Sequence, residues 1–104
     1  MIKVKLIKES GIIKNITVKG HALYDDFGKD IVCAAVSSCI ITSINASLLI
    51  DENSLSYDNK NGLDINVLKE DGVTTKIINN MISNLLELEK AYPNNIQIKE
   101  ENNE

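Results

Sequence analysis

The sequence predicts a single α+β domain of element order ββαββαβ, a mainly antiparallel sheet packed with two helices. Three observations carry that prediction. Short stretches alternate apolar and polar residues with the period of a strand. Two longer stretches are helical in spacing or length. The breaks between them hold turn-forming residues, as in Glu9-Ser10-Gly11 and Asn61-Gly62. The chain has 104 residues, one domain's length, and is long enough to bury a core without metal or disulfide staples.

Residues 2–8 put Ile2, Val4 and Leu6 on one face and Lys3 and Lys5 on the other, a strand buried on one side. After the break at 9–11, Ile12 to Val18 resumes β-branched residues and completes a hairpin. Residues 19–30 carry two Gly and three Asp without a period and read as a long loop. From Ile31 the pattern changes for about 18 residues, too long for a strand, with Val32, Val36, Ile40, Ile44 and Leu48 at helical spacing. Asp30 suits its N-cap. A helix apolar over so much of its circumference is expected to be mostly buried.

Residues 54–57 and 63–68 form a second hairpin across Asp58-Asn59-Lys60-Asn61-Gly62. Asp71-Gly72 opens a second helix with Val73, Ile77, Met81, Leu85, Leu88 and Tyr92 on one stripe, ending before Pro93. Ile96 and Ile98 alternate with Gln97 and Lys99 in a last short strand, and residues 101–104 read as a frayed tail. Residues 1–104 thus form one domain, with no linker.

Composition excludes several functions. Hydrophobic residues are 43% and charged residues 25%, values of a folded globular chain. All 11 basic residues are Lys, against 15 acidic ones, for a net charge of -4. Without Arg forks or a basic excess, direct nucleic-acid binding is not expected. Cys33 and Cys39 are six apart, with no C-x-x-C pair, and His21 is the only imidazole, so no metal site and no cofactor is expected. The N-terminus alternates like a strand and lacks the apolar core of a signal peptide, and no apolar run approaches ~18 residues, so no membrane span is expected. A cytoplasmic protein without a membrane span is the expectation.

The stretch from His21 to Ser37 holds the candidate chemistry. His21 follows Gly20 at a strand end. Cys33 falls three residues after the expected cap, where unpaired N–H groups and the helix macrodipole favour the anionic form a thiol nucleophile needs. A neighbouring imidazole would take the thiol proton and later deliver it to a leaving amine. Ser37, four residues on, shares the face of Cys33, whereas Cys39 points about 240° around the helix as a small apolar residue. Plainer readings stand beside these: free Cys is commonly buried for packing, a lone His is commonly a loop residue, and Asp25-Asp26 suits a solvated loop.

The strings Gly20-His21-Ala22 and Gly28-x-Asp30-Ile31-Val32-Cys33-Ala34-Ala35-Val36-Ser37, followed by Tyr92-Pro93-x-x-Ile96, resemble the ribosomal-processing cysteine protease (Prp) family over essentially the whole chain. The resemblance implies a bacterial cytoplasmic endopeptidase, generally a homodimer. Such a protease removes a short N-terminal extension from large-subunit ribosomal protein twenty-seven, cutting after Phe in Leu-Gln-x-Phe before a small residue. It makes Cys33 the nucleophile and His21 the general base and then acid. The segment from Ala22 to Lys29, with Gly28, would be a cover over the substrate. Asp30 would orient His21 or cap the helix, Ser37 would hydrogen-bond near the thiolate or back-bond to its own helix, and helix-start N–H groups including that of Cys33 would form the oxyanion hole. Two other classes compete: a ribosome-associated protein that binds the extension without cutting it, and a redox-sensing thiol, for which Cys39 is poorly placed as a resolving partner.

Overall fold

A computed structural model of the chain describes residues 1–20 and 27–103. The elements are β1 (Ile2–Glu9), β2 (Ile12–Lys19), α1 (Phe27–Ile50), β3 (Leu55–Asp58), β4 (Leu63–Val67), α2 (Gly72–Ala91) and β5 (Ile96–Asn103), in the predicted ββαββαβ order. They build a five-stranded sheet of order β3-β4-β2-β1-β5, in which only the β1–β5 pair is parallel.

The first hairpin closes through Ser10 and Gly11, both at positive φ (53° and 80°), the backbone that a two-residue turn between twisted strands requires. A bulge then shifts the register: Ile7 faces Asn15 while Lys8 faces Ile13, leaving Lys14 as the extra residue. Ile13 and Ile16, an odd number of positions apart, are therefore both buried. On β1 the alternation holds, with Ile2, Val4 and Leu6 buried and Lys3 and Lys5 exposed.

Both helices contribute to one core with the inner face of the sheet. Val32, Val36, Ile40 and Ile44 of α1 meet Ile78, Met81, Ile82 and Leu85 of α2 and Ile16, Leu55, Ile65 and Ile96 of the strands. Three expectations are corrected here. First, α1 begins at Phe27, so residues 27–30 are helical rather than loop and Asp30 lies in the first turn rather than at the cap. Gly28 costs a helix only about 1 kcal/mol, and no proline stops the helix from extending back past Asp30. Second, the helix is not mostly buried: Ile31, Ile41, Leu49 and Ile50 are each more than half exposed. Although interrupted by Ser, Thr and Asn, the span Ile31–Ile50 has a mean hydropathy of 1.8, enough by length and composition for a membrane span, but its Val32–Val36–Ile40–Ile44 stripe is committed to the sheet. Third, residues 101–103 are not frayed. They extend β5 against Ile7–Glu9, and Lys5–Glu101 (3.1 Å) and Lys8–Glu100 (2.5 Å) ion pairs flank that end.

The α2 stripe is rotated by one position from the predicted one. Thr74, Ile78, Met81, Ile82 and Leu85 are buried, while Val73 is half exposed. Asp71 is the N-cap, accepting from the Thr74 N–H at 2.7 Å. On the outer side of β5, the Glu89 carboxylate accepts from the Ile98 N–H (2.7 Å) and satisfies a donor that this edge would otherwise expose.

Candidate active site

Between α1 and the ends of β2, β3 and β4 lies a cleft of about 330 Å³. One wall is α1 itself, through Cys33, Val36, Ser37, Ile40, Ile41, Ile44 and Asn45. Gly20, Val18, Leu63 and Tyr57 line the opposite side, with Asn59 and Gly62 from the β3–β4 turn. Helical geometry explains the division. The residues at 32, 36, 40 and 44 point to the sheet, and those one position later, at 33, 37, 41 and 45, are turned about 100° toward the cleft.

Cys33 is half-buried, reduced and packed partly against the core, so its thiol stands at the boundary between core and cleft. Ser37 is exposed on the same wall, one turn on. Because α1 starts at Phe27, Cys33 sits in its second turn. Its N–H is not among the four that begin the helix unpaired, and the helix macrodipole has largely fallen off there. This corrects both the helix-start activation of the thiol and the oxyanion hole drawn from the Cys33 N–H.

Cys39 lies elsewhere. It lines a separate groove between α1 and α2 with Ser38, Thr42 and Asn84, and its Sγ lies 3.7 Å from the Met81 carbonyl oxygen. Partial burial raises its pKa, which keeps it a neutral thiol.

Gly20 holds a positive φ of 84° at the end of β2 and abuts the Met1 backbone, so close that a side chain there has no room. Of the residues singled out from sequence, Cys33, Ser37 and Gly20 therefore share one cleft. Gly28 and Asp30 belong to the first turn of α1. His21 and the segment 22–26 lie outside the described residues. Sequence reasoning missed the rest of the cleft: Ile41, Asn45, Tyr57, Asn59 and Leu63. The signal for two of them was present, since positions 41 and 45 continue the four-residue spacing of Cys33 and Ser37.

This arrangement sets a free thiol on the wall of a largely apolar cleft. The chain belongs to the cysteine protease Prp family, whose sequence model matches residues 1–97. It is 29% identical over 97 residues to the ribosomal processing cysteine protease Prp of Staphylococcus aureus, covering 88% of this chain and 91% of that protein. The crystal structure of the essential S. aureus Prp with a covalently linked product peptide superposes with a TM-score of 0.86 at 25% identity, covering 97% of this chain and all of that one. SMU.848 from Streptococcus mutans is equally similar in fold (TM-score 0.85, 25% identity, 99% and 96% covered). The chain is thus a cysteine protease of the ribosome-processing class.

Proposed function

We propose that Cys33 is the nucleophile and His21 the general base and acid of an endopeptidase. Its substrate is the N-terminal extension of large-subunit ribosomal protein twenty-seven, cut after Phe in Leu-Gln-x-Phe before a small residue. The observation that carries this reading is that Cys33 and Gly20 line the same cleft, and His21 is the next residue in the chain after Gly20. With Cys33 away from the helix start, the imidazole rather than the helix terminus supplies the driving force for ionisation.

His21 takes the thiol proton as the Cys33 sulfur attacks the scissile carbonyl, giving a tetrahedral oxyanion. The imidazolium then protonates the departing amine as the C–N bond breaks, leaving a thioester on Cys33. Water, deprotonated by His21, attacks the thioester, releases the carboxylate and restores the thiol. On this reading Ser37, which lines the same wall one turn from Cys33, hydrogen-bonds near the thiolate or back-bonds to its own helix. Asp30 and Gly28, in the helix turn before Cys33, support the site from there. The protein acts in the bacterial cytoplasm as a homodimer, an arrangement that suits the exposed apolar residues Ile31, Leu49 and Ile50 of α1.

The test is mass spectrometry of the peptide Leu-Gln-Phe-Phe-Ala-Ser incubated with the wild type and with Cys33→Ala, His21→Ala and Cys39→Ala. A single cut between Phe and Ala, lost in the first two variants and kept in the third, is the expected result. Equal loss at Cys33 and Cys39 would point to a folding effect, and a peptide that binds uncut would replace the protease with a binding protein.

A further inference from the structure

The outer face of the sheet gathers positive charge. Both helices pack against the inner face, and among the described residues the outer face is open. Strand pairing lays two rows of side chains there across β2, β1 and β5. One row is Lys19, Lys3 and Gln97; the next, about 7 Å along the strands, is Thr17, Lys5 and Lys99. Lys3 stands directly opposite Lys19, a like-charge pair that costs the sheet stability, and Lys5 stands beside Lys99 across the parallel β1–β5 pair. All four lysines are exposed, and they edge a hollow of about 450 Å³ that shares no lining residue with the cleft of Cys33. Among the described residues only one of the four has an ion-pair partner: Lys5 meets Glu101 at 3.1 Å, while Glu100 at the same end of the hollow is engaged by Lys8 at 2.5 Å. Asp58 and Asp64, on β3 and β4 beyond β2, bound this positive half on its other side.

We infer that this face docks the phosphate backbone of double-helical RNA. The expectation that nucleic acid is not bound came from a net charge of -4, and a total does not describe where the charges lie. Four of the 11 lysines, from three strands, are brought together only by the register of the sheet. Three features choose the occupant. Ammonium groups act as point charges toward phosphate, with no need of the Arg fork that this chain lacks. Each lysine pair has an uncharged hydrogen-bonding side chain in its row, Gln97 in one and Thr17 in the other, suited to ribose hydroxyls. β1, β2 and β5 contain no aromatic residue on which unpaired bases could stack, so the form that fits is a helix carrying its phosphates outermost. Neutralisation by phosphate also relieves the repulsion between Lys3 and Lys19. The inference is independent of the cleavage chemistry, since no residue of this face lines the cleft.

The test is fluorescence anisotropy of a labelled RNA duplex of about 20 base pairs, titrated with the full chain at about 50 and about 200 mM salt. Three proteins are compared: the wild type, Lys3→Gln/Lys99→Gln, and Lys76→Gln/Lys90→Gln, which makes the same change in total charge at two exposed lysines of α2. The wild type is expected to bind in the micromolar range at the lower salt and to lose on the order of a hundredfold at the higher, the slope of three to four neutralised phosphates. Lys3→Gln/Lys99→Gln should weaken binding by about tenfold or more and reduce the salt slope by about 2, whereas the α2 variant stays within about twofold of the wild type. Unlabelled DNA duplex of the same sequence, polyglutamate and phosphatidylglycerol vesicles should each compete less well than unlabelled RNA. No binding at the lower salt, or equal weakening by the two double variants, overturns the docking face. Competition by DNA, polyglutamate or vesicles as strong as by RNA overturns the choice of RNA. Lys3→Gln/Lys99→Gln should melt at or above the wild type and cleave the Leu-Gln-Phe-Phe-Ala-Ser peptide at an unchanged rate. Lost RNA binding is thereby separated from lost fold, and failure of the wild type to cleave would leave this inference standing.

Discussion

Gly20 is the position where fold and chemistry meet most tightly, and its replacement by Ala is the sharpest test of how the cleft is built. Its φ of 84° lies where an L-residue is strained by about 1–3 kcal/mol. A Cβ would also be driven into the Met1 carbonyl oxygen, with the Met1 carbonyl carbon at 3.4 Å and the Ile2 Cα at 3.8 Å behind it. These are backbone atoms, so no rotamer change relieves the overlap. Either the start of β1 moves, against the Ile2 N–H bond to Asn95 O (2.8 Å), or the end of β2 does. Gly11 is the control. Its φ is 80° but nothing lies within 4 Å of its would-be Cβ, so Gly11→Ala reports the backbone strain alone. Gly20→Ala should melt below Gly11→Ala by the steric contribution, about 1–2 kcal/mol and thus on the order of 5–15 °C for a domain of this size. It should also lose cleavage far beyond its unfolded fraction, because Gly20 lines the cleft and precedes His21. The assay is a circular-dichroism melt of each variant with kcat/KM measured well below its midpoint. Coincident melts for the two variants, or full activity in Gly20→Ala, would refute the close approach to Met1 as the reason for glycine.

Other consequences follow from burial and charge. Met81 and Leu85 are wholly buried, so either one changed to Ala should cost about 2–5 kcal/mol, read from the urea midpoint at unchanged m-value. A thiol reagent such as iodoacetamide should modify Cys33, on the cleft wall, before Cys39, whose pKa is raised by burial; peptide mapping over time reads the order, and equal rates would contradict it. Two carboxyls are held below the usual aspartate range, Asp51 chiefly by its hydrogen bond from the Lys69 ammonium and Asp71 chiefly by the Thr74 N–H. Their folded pKa values are depressed, so their contribution is present above the ordinary aspartate pKa and is lost as pH falls through the lowered values. Asp71→Asn should therefore flatten part of the acid limb of a stability–pH profile while leaving a side-chain oxygen to cap α2.

How legible each element was depended on whether its pattern had one solution. On β1, Ile2, Val4 and Leu6 alternate with lysines, and only one face can be buried. On α2 the apolar residues come in adjacent pairs, Ile77-Ile78, Met81-Ile82 and Leu85-Leu86, so spacing alone fits two neighbouring stripes. Tertiary packing chose the one with Ile78 and Ile82, and Met81 and Leu85 are common to both. The polar run at 100–103 offers no strand signal of its own. Its order comes from pairing with β1, a partner more than 90 residues away in sequence. The start of α1 was misread because Asp30 is a good cap in isolation, and a local preference worth about 1 kcal/mol does not set a boundary when helix can continue on its N-terminal side. The site divided in the same way. Cys33 and Ser37 were legible from a spacing of four, whereas Tyr57 and Leu63 reach the cleft through the β3–β4 hairpin, and no local pattern encodes that approach.

The economy of α1 explains why its sequence looks ambiguous. One helix must cover the sheet and also wall the cleft, and it does both by running two stripes one residue out of step, 32/36/40/44 inward and 33/37/41/45 toward the cleft. The inward stripe is uniformly β-branched. The cleft stripe is Cys, Ser, Ile and Asn, which changes character along its length: thiol, hydroxyl, aliphatic surface, then amide. A helix built only to pack would have no reason to hold four such different side chains in line on an open wall. A helix that must meet an extended peptide does, because successive turns 5.4 Å apart face different residues of that peptide. The two stripes are also rigidly coupled. A one-residue insertion between Val36 and Ser37 would rotate everything after it by about 100°, displacing Ile40 and Ile44 from the core and Ile41 and Asn45 from the cleft, so core and binding wall should fail together. A compensating deletion after Asn45 should restore neither, since the displaced residues lie before it.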